Sequence, residues 1–136
     1  MWRLLVAMVA STLLLGGCAG IGRDPVDEGD LEACTLFQDQ LHKTYEQQEL
    51  VSSMPKGPNR DREANELNGM LWETKETARF AEPRANDPLL KDGLLAYLED
   101  GERSPHSVEA AESAKWVDDY CKDLTGVTYQ PSSSPE

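Results

Sequence analysis

The fifteen residues Leu31–Tyr45, "LEACTLFQDQLHKTY", repeat an apolar side chain every three or four positions. These side chains are Leu31, Cys34, Phe37, Leu41 and Tyr45. Residues spaced in this way lie on one face of an α-helix. The pattern predicts a helix from about Glu28 to Val51 that turns this face, including one cysteine, toward a protein core.

The same spacing predicts three more helices further along the chain. They cover about 62–81, 88–100 and 107–124, the last beginning near Ser104 or Ser107. Pro83 ends the second, the pair Asp87-Pro88 is a typical start for the third, and Gly126 is a typical cap after the fourth. Gly93 lies inside the third helix at a cost of up to about 1 kcal/mol relative to alanine, which suggests a close contact with a neighbouring helix.

No segment alternates with a period of two, and the connections between the helices are short and polar. Short connections favour antiparallel neighbours, so the predicted fold is all-α, an up-down-up-down four-helix bundle over residues 28–126. In that topology Cys34 and Cys121 lie on inward faces at the same end of the bundle. We expect them to form one disulfide; a zinc site or a redox pair would require further ligands or a Cys-x-x-Cys spacing.

The chain begins with a cationic Arg3 and a charge-free run, "LLVAMVASTLLL", followed by two glycines and Cys18. A run of about twelve residues is shorter than the roughly twenty that span a bilayer, and it fits a signal peptide over residues 1–17. The alternatives are an uncleaved signal anchor and a secretory signal in which "GGC" occurs by chance.

The residues "LGGC" resemble the lipobox of bacterial lipoproteins. The resemblance implies that the Cys18 thiol carries diacylglycerol, that the chain is cut just before it, and that the new amine is often acylated. Two or three acyl chains give a durable anchor, whereas one chain binds only reversibly. We therefore expect a membrane location outside the cytoplasm, with residues 18–27 as a lipidated flexible tether and 127–136 as a disordered tail.

The chain is strongly acidic, with a formal net charge of −12 that becomes one unit more negative if Arg3 is removed with the signal. Such a surface repels nucleic acid and anionic lipid headgroups. We therefore expect no nucleic-acid partner, and a domain held away from the membrane surface.

Three segments of the mature region, "ACTLFQDQL", "NDPLLKDGLLAYLEDG" and "WVDDYCKDLTG", resemble small secreted or lipid-anchored helical proteins of actinobacteria. In those proteins the first and last helices each carry one cysteine. The resemblance implies a bundle linked by a disulfide and an actinobacterial cell envelope. It implies no activity for any residue.

Catalytic and cofactor signatures are sparse. His42 and His106 are the only histidines, and both are expected at the solvated surface. No strained serine turn accompanies them, a His42–Met70 haem site lacks an attachment motif, and Glu-x-x-His pairs for a di-iron centre do not occur. We predict no enzyme activity and no cofactor beyond the lipid on Cys18.

Two acidic clusters and two tryptophans remain as candidate sites. The first acidic cluster is Asp24, Asp27, Glu28 and Asp30, and the second is Asp118, Asp119 and Asp123. Solvated helix ends and faces are the favoured interpretation of both clusters, and loose calcium sites are the alternative. Trp72 and Trp116 either pack at helix seams or anchor a partner. The predicted function is a non-enzymatic binding or structural component of the cell envelope, with a small-ligand or lipid carrier and a carboxylate metal protein as alternatives.

Overall fold

A computed structural model describes residues 25–132 of the chain. Four α-helices occupy most of this range, and no strand occurs within it. They are α1 (Glu28–Ser53), α2 (Pro58–Ala81), α3 (Pro88–Asp100) and α4 (Val108–Thr125), with a 3-10 turn at Glu82–Arg84. The predicted all-α class is confirmed.

The helix starts follow from local side-chain chemistry. Asp27, Asp87 and Ser107 each accept a hydrogen bond from a backbone amide in the first turn of α1, α3 and α4. The predicted start of α2 was wrong by four residues, because the helix begins at Pro58 rather than near Arg62. Proline is compatible with the first helical position, where its missing amide is not needed.

Consecutive helices run antiparallel. Arg84, just after α2, donates to Glu32 near the start of α1 over 3.0 Å, while Gln47 late in α1 donates to Glu63 early in α2 over 3.0 Å. The α4 helix packs against both α3 and α1 and closes the ring. The up-down-up-down four-helix bundle is therefore confirmed, and α2 lies diagonally across from α4.

The predicted disulfide joins Cys34 to Cys121, whose Cα atoms are 5.4 Å apart. It lies at the end of the bundle where α1 begins and α4 ends, which we call the N-terminal end; the opposite end is the distal end. Next to it, the ring of Phe37 meets that of Tyr97 edge-on at 5.4 Å between centroids. Leu90, Leu94 and Val117 complete the fully buried centre of the core.

Helix lengths differ within the bundle: α1 and α2 have 26 and 24 residues, whereas α3 and α4 have 13 and 18. At about 1.5 Å per residue, the α1–α2 hairpin extends well beyond the shorter pair at the distal end. Leu31 in the first turn of α1, predicted to face the core, is instead exposed.

Residues 127–132 have no regular secondary structure but lie along α1, which differs from the disordered tail predicted from residue 127. Gly126 adopts a left-handed conformation with φ 70° and turns the chain back. The Val127 carbonyl then accepts from Gln38, and the Ser132 amide donates to Glu49, both over 3.1 Å. Residues 133–136 lie outside the described range.

The predicted signal peptide, Cys18 and the tether through residue 24 also lie outside the described residues. Between residues 25 and 132, no helix combines the length and apolar character that crossing a membrane requires. All four helices, the core and the disulfide are contained in this range.

Candidate functional site

Trp72 lies on an exposed face of α2 together with an aromatic residue that the sequence analysis did not single out, Phe80. Their side chains are 43% and 64% exposed. Eight residues along a helix correspond to about 12 Å, so the two rings stand just over two turns apart on one face. They line an open groove between α1 and α2, the aromatic groove, formed by Gln40, Trp72, Glu73, Glu76, Thr77 and Phe80.

The position of Trp72 is fixed by a buried lysine. The Lys75 ammonium lies 5.1 Å from the centroid of the Trp72 ring and reaches the carbonyl oxygen of Glu102 over 3.4 Å. A cation over an indole face is attracted by the ring's electrons, and this orients the ring. Across the groove, Gln40 donates to Glu73 over 3.4 Å. The groove therefore has an oriented aromatic wall and a polar rim.

Trp116 has a different environment from Trp72. A Cβ atom added to Gly93 of α3 would lie 2.3 Å from the Trp116 ring, and the ring stacks on Tyr120 with centroids 5.7 Å apart. The close helix contact predicted at Gly93 is confirmed, and one side of Trp116 forms part of the α3–α4 seam while 46% remains exposed. Because α2 and α4 are diagonal, Trp72 and Trp116 do not share one surface.

A partly enclosed cleft of about 200 Å³ opens between α1, α2 and the start of α4, toward the distal end. Its apolar lining includes Leu41, Leu67, Leu71, Tyr97, Ala110 and Ala114. The small alanines of α4 and the shortness of the α3–α4 pair leave this space unfilled. We refer to it as the inter-helix cleft.

His42 is not a solvated surface histidine, so that prediction was wrong. Its Nε2 atom lies 2.8 Å from Oδ1 of Asp118, and the two side chains are only 14% and 6% exposed. Gln38 donates to the same carboxylate oxygen over 2.9 Å, and Tyr129 covers the histidine ring from the returning tail. Gln38 and His42 lie one turn apart on α1, and this spacing was the sequence feature from which a shared partner of the two side chains could have been predicted.

The acidic cluster at the start of α1 is largely structural. Asp30 is buried, and its Oδ1 accepts the backbone amides of Asn86 and Asp87 over 2.6 and 2.8 Å, so its predicted solvation was wrong. The Asn86 side-chain amide also holds the pKa of Asp27 below its usual range. These bonds attach the α2–α3 connection to the start of α1. Asp24 lies outside the described residues.

Asp87 links α3 to α4 at the same end. It accepts a hydrogen bond from the Tyr120 hydroxyl and another from the Leu89 amide, and these lower its pKa, with the Tyr120 bond having the larger effect. Among residues 25–132 no three or more acidic, histidine or cysteine side chains converge into a metal-binding group. The remaining histidine, His106, is exposed as predicted and bonds to Asn68.

These features define a disulfide-linked four-helix bundle whose concave surfaces include the aromatic groove and the inter-helix cleft. Comparison with protein-family models, with curated protein sequences and with solved structures finds no significant match.

Proposed function

We propose that the protein is a lipid-anchored lipoprotein of the extracytoplasmic membrane face whose helical bundle binds a protein partner through the aromatic groove. The role is non-enzymatic. The anchor is inferred from the position of Cys18 directly after the apolar run and two glycines. The binding role depends on a single structural observation, the exposure of Trp72 and Phe80 together in one groove.

Trp72 and Phe80, just over two turns apart, leave two large aromatic side chains open to water in one groove. Exposed apolar patches of this kind mark interaction surfaces, and aromatic residues dominate the energetics of protein interfaces. Trp72 is also held in position by Lys75 before any partner arrives. An ordered side chain loses less conformational entropy on binding, which favours affinity.

The charges of the groove indicate the chemistry of the partner. Both charged residues that line it, Glu73 and Glu76, are acidic; Arg79 pairs with Glu76, which leaves Glu73 without an opposite charge among the described residues, and the chain as a whole carries a net charge of −12. Opposite charge accelerates encounter and disfavours wrong partners. The partner segment we propose presents apolar side chains flanked by lysine or arginine.

The binding role is tested by photo-crosslinking in producing cells with a photoreactive residue in place of Thr77. We expect a specific crosslinked protein in the wild-type background and its loss in Trp72→Ala and in Phe80→Ala. Val108→Ala is the matched control, because Val108 is 69% exposed on another helix and lies outside the groove. A crosslink that persists unchanged in both aromatic variants would exclude the groove.

The anchor is tested separately by Cys18→Ser, which keeps the size of the side chain and removes the thiol. We expect the variant to leave the membrane fraction or to retain its uncut signal peptide. Normal processing and full membrane retention would refute lipidation at Cys18 without bearing on the groove.

A second candidate function, carrying a small ligand, is favoured by the inter-helix cleft, which needs no partner protein. The carboxylate metal role has no comparable support. Asp30 and Asp118, the two buried members of the acidic clusters, are already engaged by backbone amides and by Gln38 and His42.

A further inference from the structure

We propose that the inter-helix cleft binds an uncharged, mainly hydrocarbon molecule of roughly ten non-hydrogen atoms that carries one hydroxyl or carbonyl oxygen, with this oxygen placed at the hydroxyl of Tyr97. The inference does not depend on the aromatic groove or on its partner. It is based on the size of the cleft, on its lining, and on the unused polar group inside it.

The size of the cleft suits a small organic molecule. Its volume of about 200 Å³ is somewhat larger than the roughly 150 Å³ of an engineered apolar cavity that holds benzene. A medium-length hydrocarbon chain fits this space, whereas a complete phospholipid does not. Most of the lining surface is apolar, and its polar side chains besides the two tyrosines are Thr44, Gln48, His106 and Ser107.

Two leucines of α2 show why the cleft favours an apolar occupant. Leu67 and Leu71 face the bundle but are only half-buried, because the short α3–α4 pair ends before it can cover them. Opposite them, Ala110 and Ala114 of α4 have side chains too small to reach across. A bound hydrocarbon would bury the leucine surface that the fold itself leaves partly wet, which is favourable in proportion to the area removed from water.

Tyr97 provides an independent indication of a ligand. The residue is 2% exposed and lines the cleft, and its hydroxyl makes no hydrogen bond to another described residue. Among the described residues, only the Tyr129 hydroxyl is both fully enclosed and without a partner, so the Tyr97 hydroxyl is open to the cleft and can donate to a molecule bound there. Burial raises the pKa of Tyr97, and nearby Tyr45 adds to the shift, so the hydroxyl stays protonated and can donate to a ligand oxygen.

The local charge selects an uncharged ligand. Within the described residues, no lysine, arginine, aspartate or glutamate lines the cleft; His106 stands at its rim, where it bonds to Asn68. With no lysine or arginine among the residues that line the cleft, a carboxylate such as that of a free fatty acid would lose its water there without gaining an opposite charge, which disfavours it.

The test uses 1-octanol and octanoate as probes of matched length, titrated calorimetrically into the chain from Ala19 to Glu136, which contains all four described helices and the core between them. We expect saturable 1:1 binding of 1-octanol and at least tenfold weaker binding of octanoate. Absence of saturable octanol binding would overturn the proposal, and equal affinity for the two probes would overturn the charge selection.

Three variants and one control variant locate the site. Ala111→Leu at the mouth of the cleft and Ala114→Leu inside it should abolish octanol binding, while Ala96→Leu, an exposed alanine of α3 outside the cleft, should leave it unchanged. Tyr97→Phe should weaken binding about fivefold, the effect of one hydrogen bond.

Ala111 is exposed, so its variant remains informative if Ala114→Leu fails to fold. Octanol binding that is equal in Ala111→Leu and wild type would place the ligand elsewhere and overturn the assignment.

Discussion

Replacing Gly93 with alanine tests the contact between α3 and α4 most directly. A Cβ atom at this position would lie 2.3 Å from Cζ3 and 2.6 Å from Cε3 of Trp116, and 3.2 Å from Cγ2 of Val117. Carbon atoms not bonded to each other normally stay at least about 3.5 Å apart. The variant must therefore displace the indole ring or separate the two helices.

Two opposing effects set the size of the change. Alanine in place of glycine inside a helix is worth up to about 1 kcal/mol in favour of folding. Overpacking at a tight contact costs typically about 1–3 kcal/mol. We expect Gly93→Ala to lower the free energy of unfolding by about 1–2 kcal/mol. For a domain of this size that corresponds to a melting temperature lower by roughly 4–8 °C per kcal/mol.

Urea denaturation of the chain from Ala19, followed by circular dichroism, measures the free energy of unfolding in two backgrounds, the wild type and Trp116→Ala. In Trp116→Ala the two shortest contacts are removed and only the 3.2 Å approach to Val117 remains, so Gly93→Ala should become stabilising by up to about 1 kcal/mol, and the double-mutant cycle should show a coupling of about 2–3 kcal/mol. Gly69→Ala is the matched control, because Gly69 lies inside α2 with no atom within 4 Å of its added Cβ.

We expect Gly69→Ala to stabilise both backgrounds equally. If Gly93→Ala stabilises the wild-type chain as Gly69→Ala does, the close approach of Trp116 to α3 is refuted.

Three further predictions concern the N-terminal end of the bundle. Gly29→Ala should destabilise the fold at least as much as Gly93→Ala in the same urea assay, because its Cβ would lie 2.3 Å from a backbone carbonyl oxygen of the 3-10 turn. A backbone carbonyl cannot rotate away as a side chain can. An unchanged urea midpoint of unfolding would contradict this prediction. Replacing Cys34 and Cys121 by serine should lower the free energy of unfolding by roughly 4–5 kcal/mol in the chain-entropy treatment, since the bridge closes a loop with a separation of 87 residues. Reduction of the wild-type chain should add two hydrogens to its intact mass, and an unchanged mass would exclude the bridge. The folded-state pKa of Asp87 lies below its usual 3.8, so the stability that its carboxylate contributes is present above that value and is lost as the pH falls through the lower folded value. Asp87→Asn should therefore reduce the loss of stability between about pH 5 and pH 2. An acid profile identical to that of the wild type would show that the Tyr120–Asp87 bond does not contribute.

Helix content and topology could be read from the chain because they depend on local periodicity and short connections. The spacing of Cys34, Phe37 and Leu41 identifies the buried face of α1 whatever packs against it. The pair Asp87-Pro88 and the residue Gly126 mark helix ends through hydrogen bonds made within a few residues. The disulfide then follows from placing two cysteines at the same end of a ring of antiparallel helices.

The polar interactions inside the fold could not be predicted in this way. Asp30 and Asp118 were interpreted as solvated because isolated carboxylates usually are. Their burial depends on donors more than fifty residues away, the amides of Asn86 and Asp87 for one and Gln38 and His42 for the other. Sequence spacing contains no record of such distant pairs.

For the two candidate binding surfaces as well, some features follow from the sequence and others only from the packing of the helices. From the sequence, Trp72 either packs at a helix seam or anchors a partner, because the side of a helix that a neighbour covers depends on helix lengths and on the rotation of each helix in the bundle. Only the tertiary structure shows that Phe80 stays open beside Trp72 and that the Tyr97 hydroxyl has no partner in a space left by small alanines.

From its residues alone, the chain specifies four amphipathic helices, their antiparallel order and the cysteine pair, because each of these follows from neighbours in sequence. Packing decides which polar groups are satisfied and which apolar surfaces remain for a partner or a ligand, because those outcomes depend on distances between residues far apart in the chain.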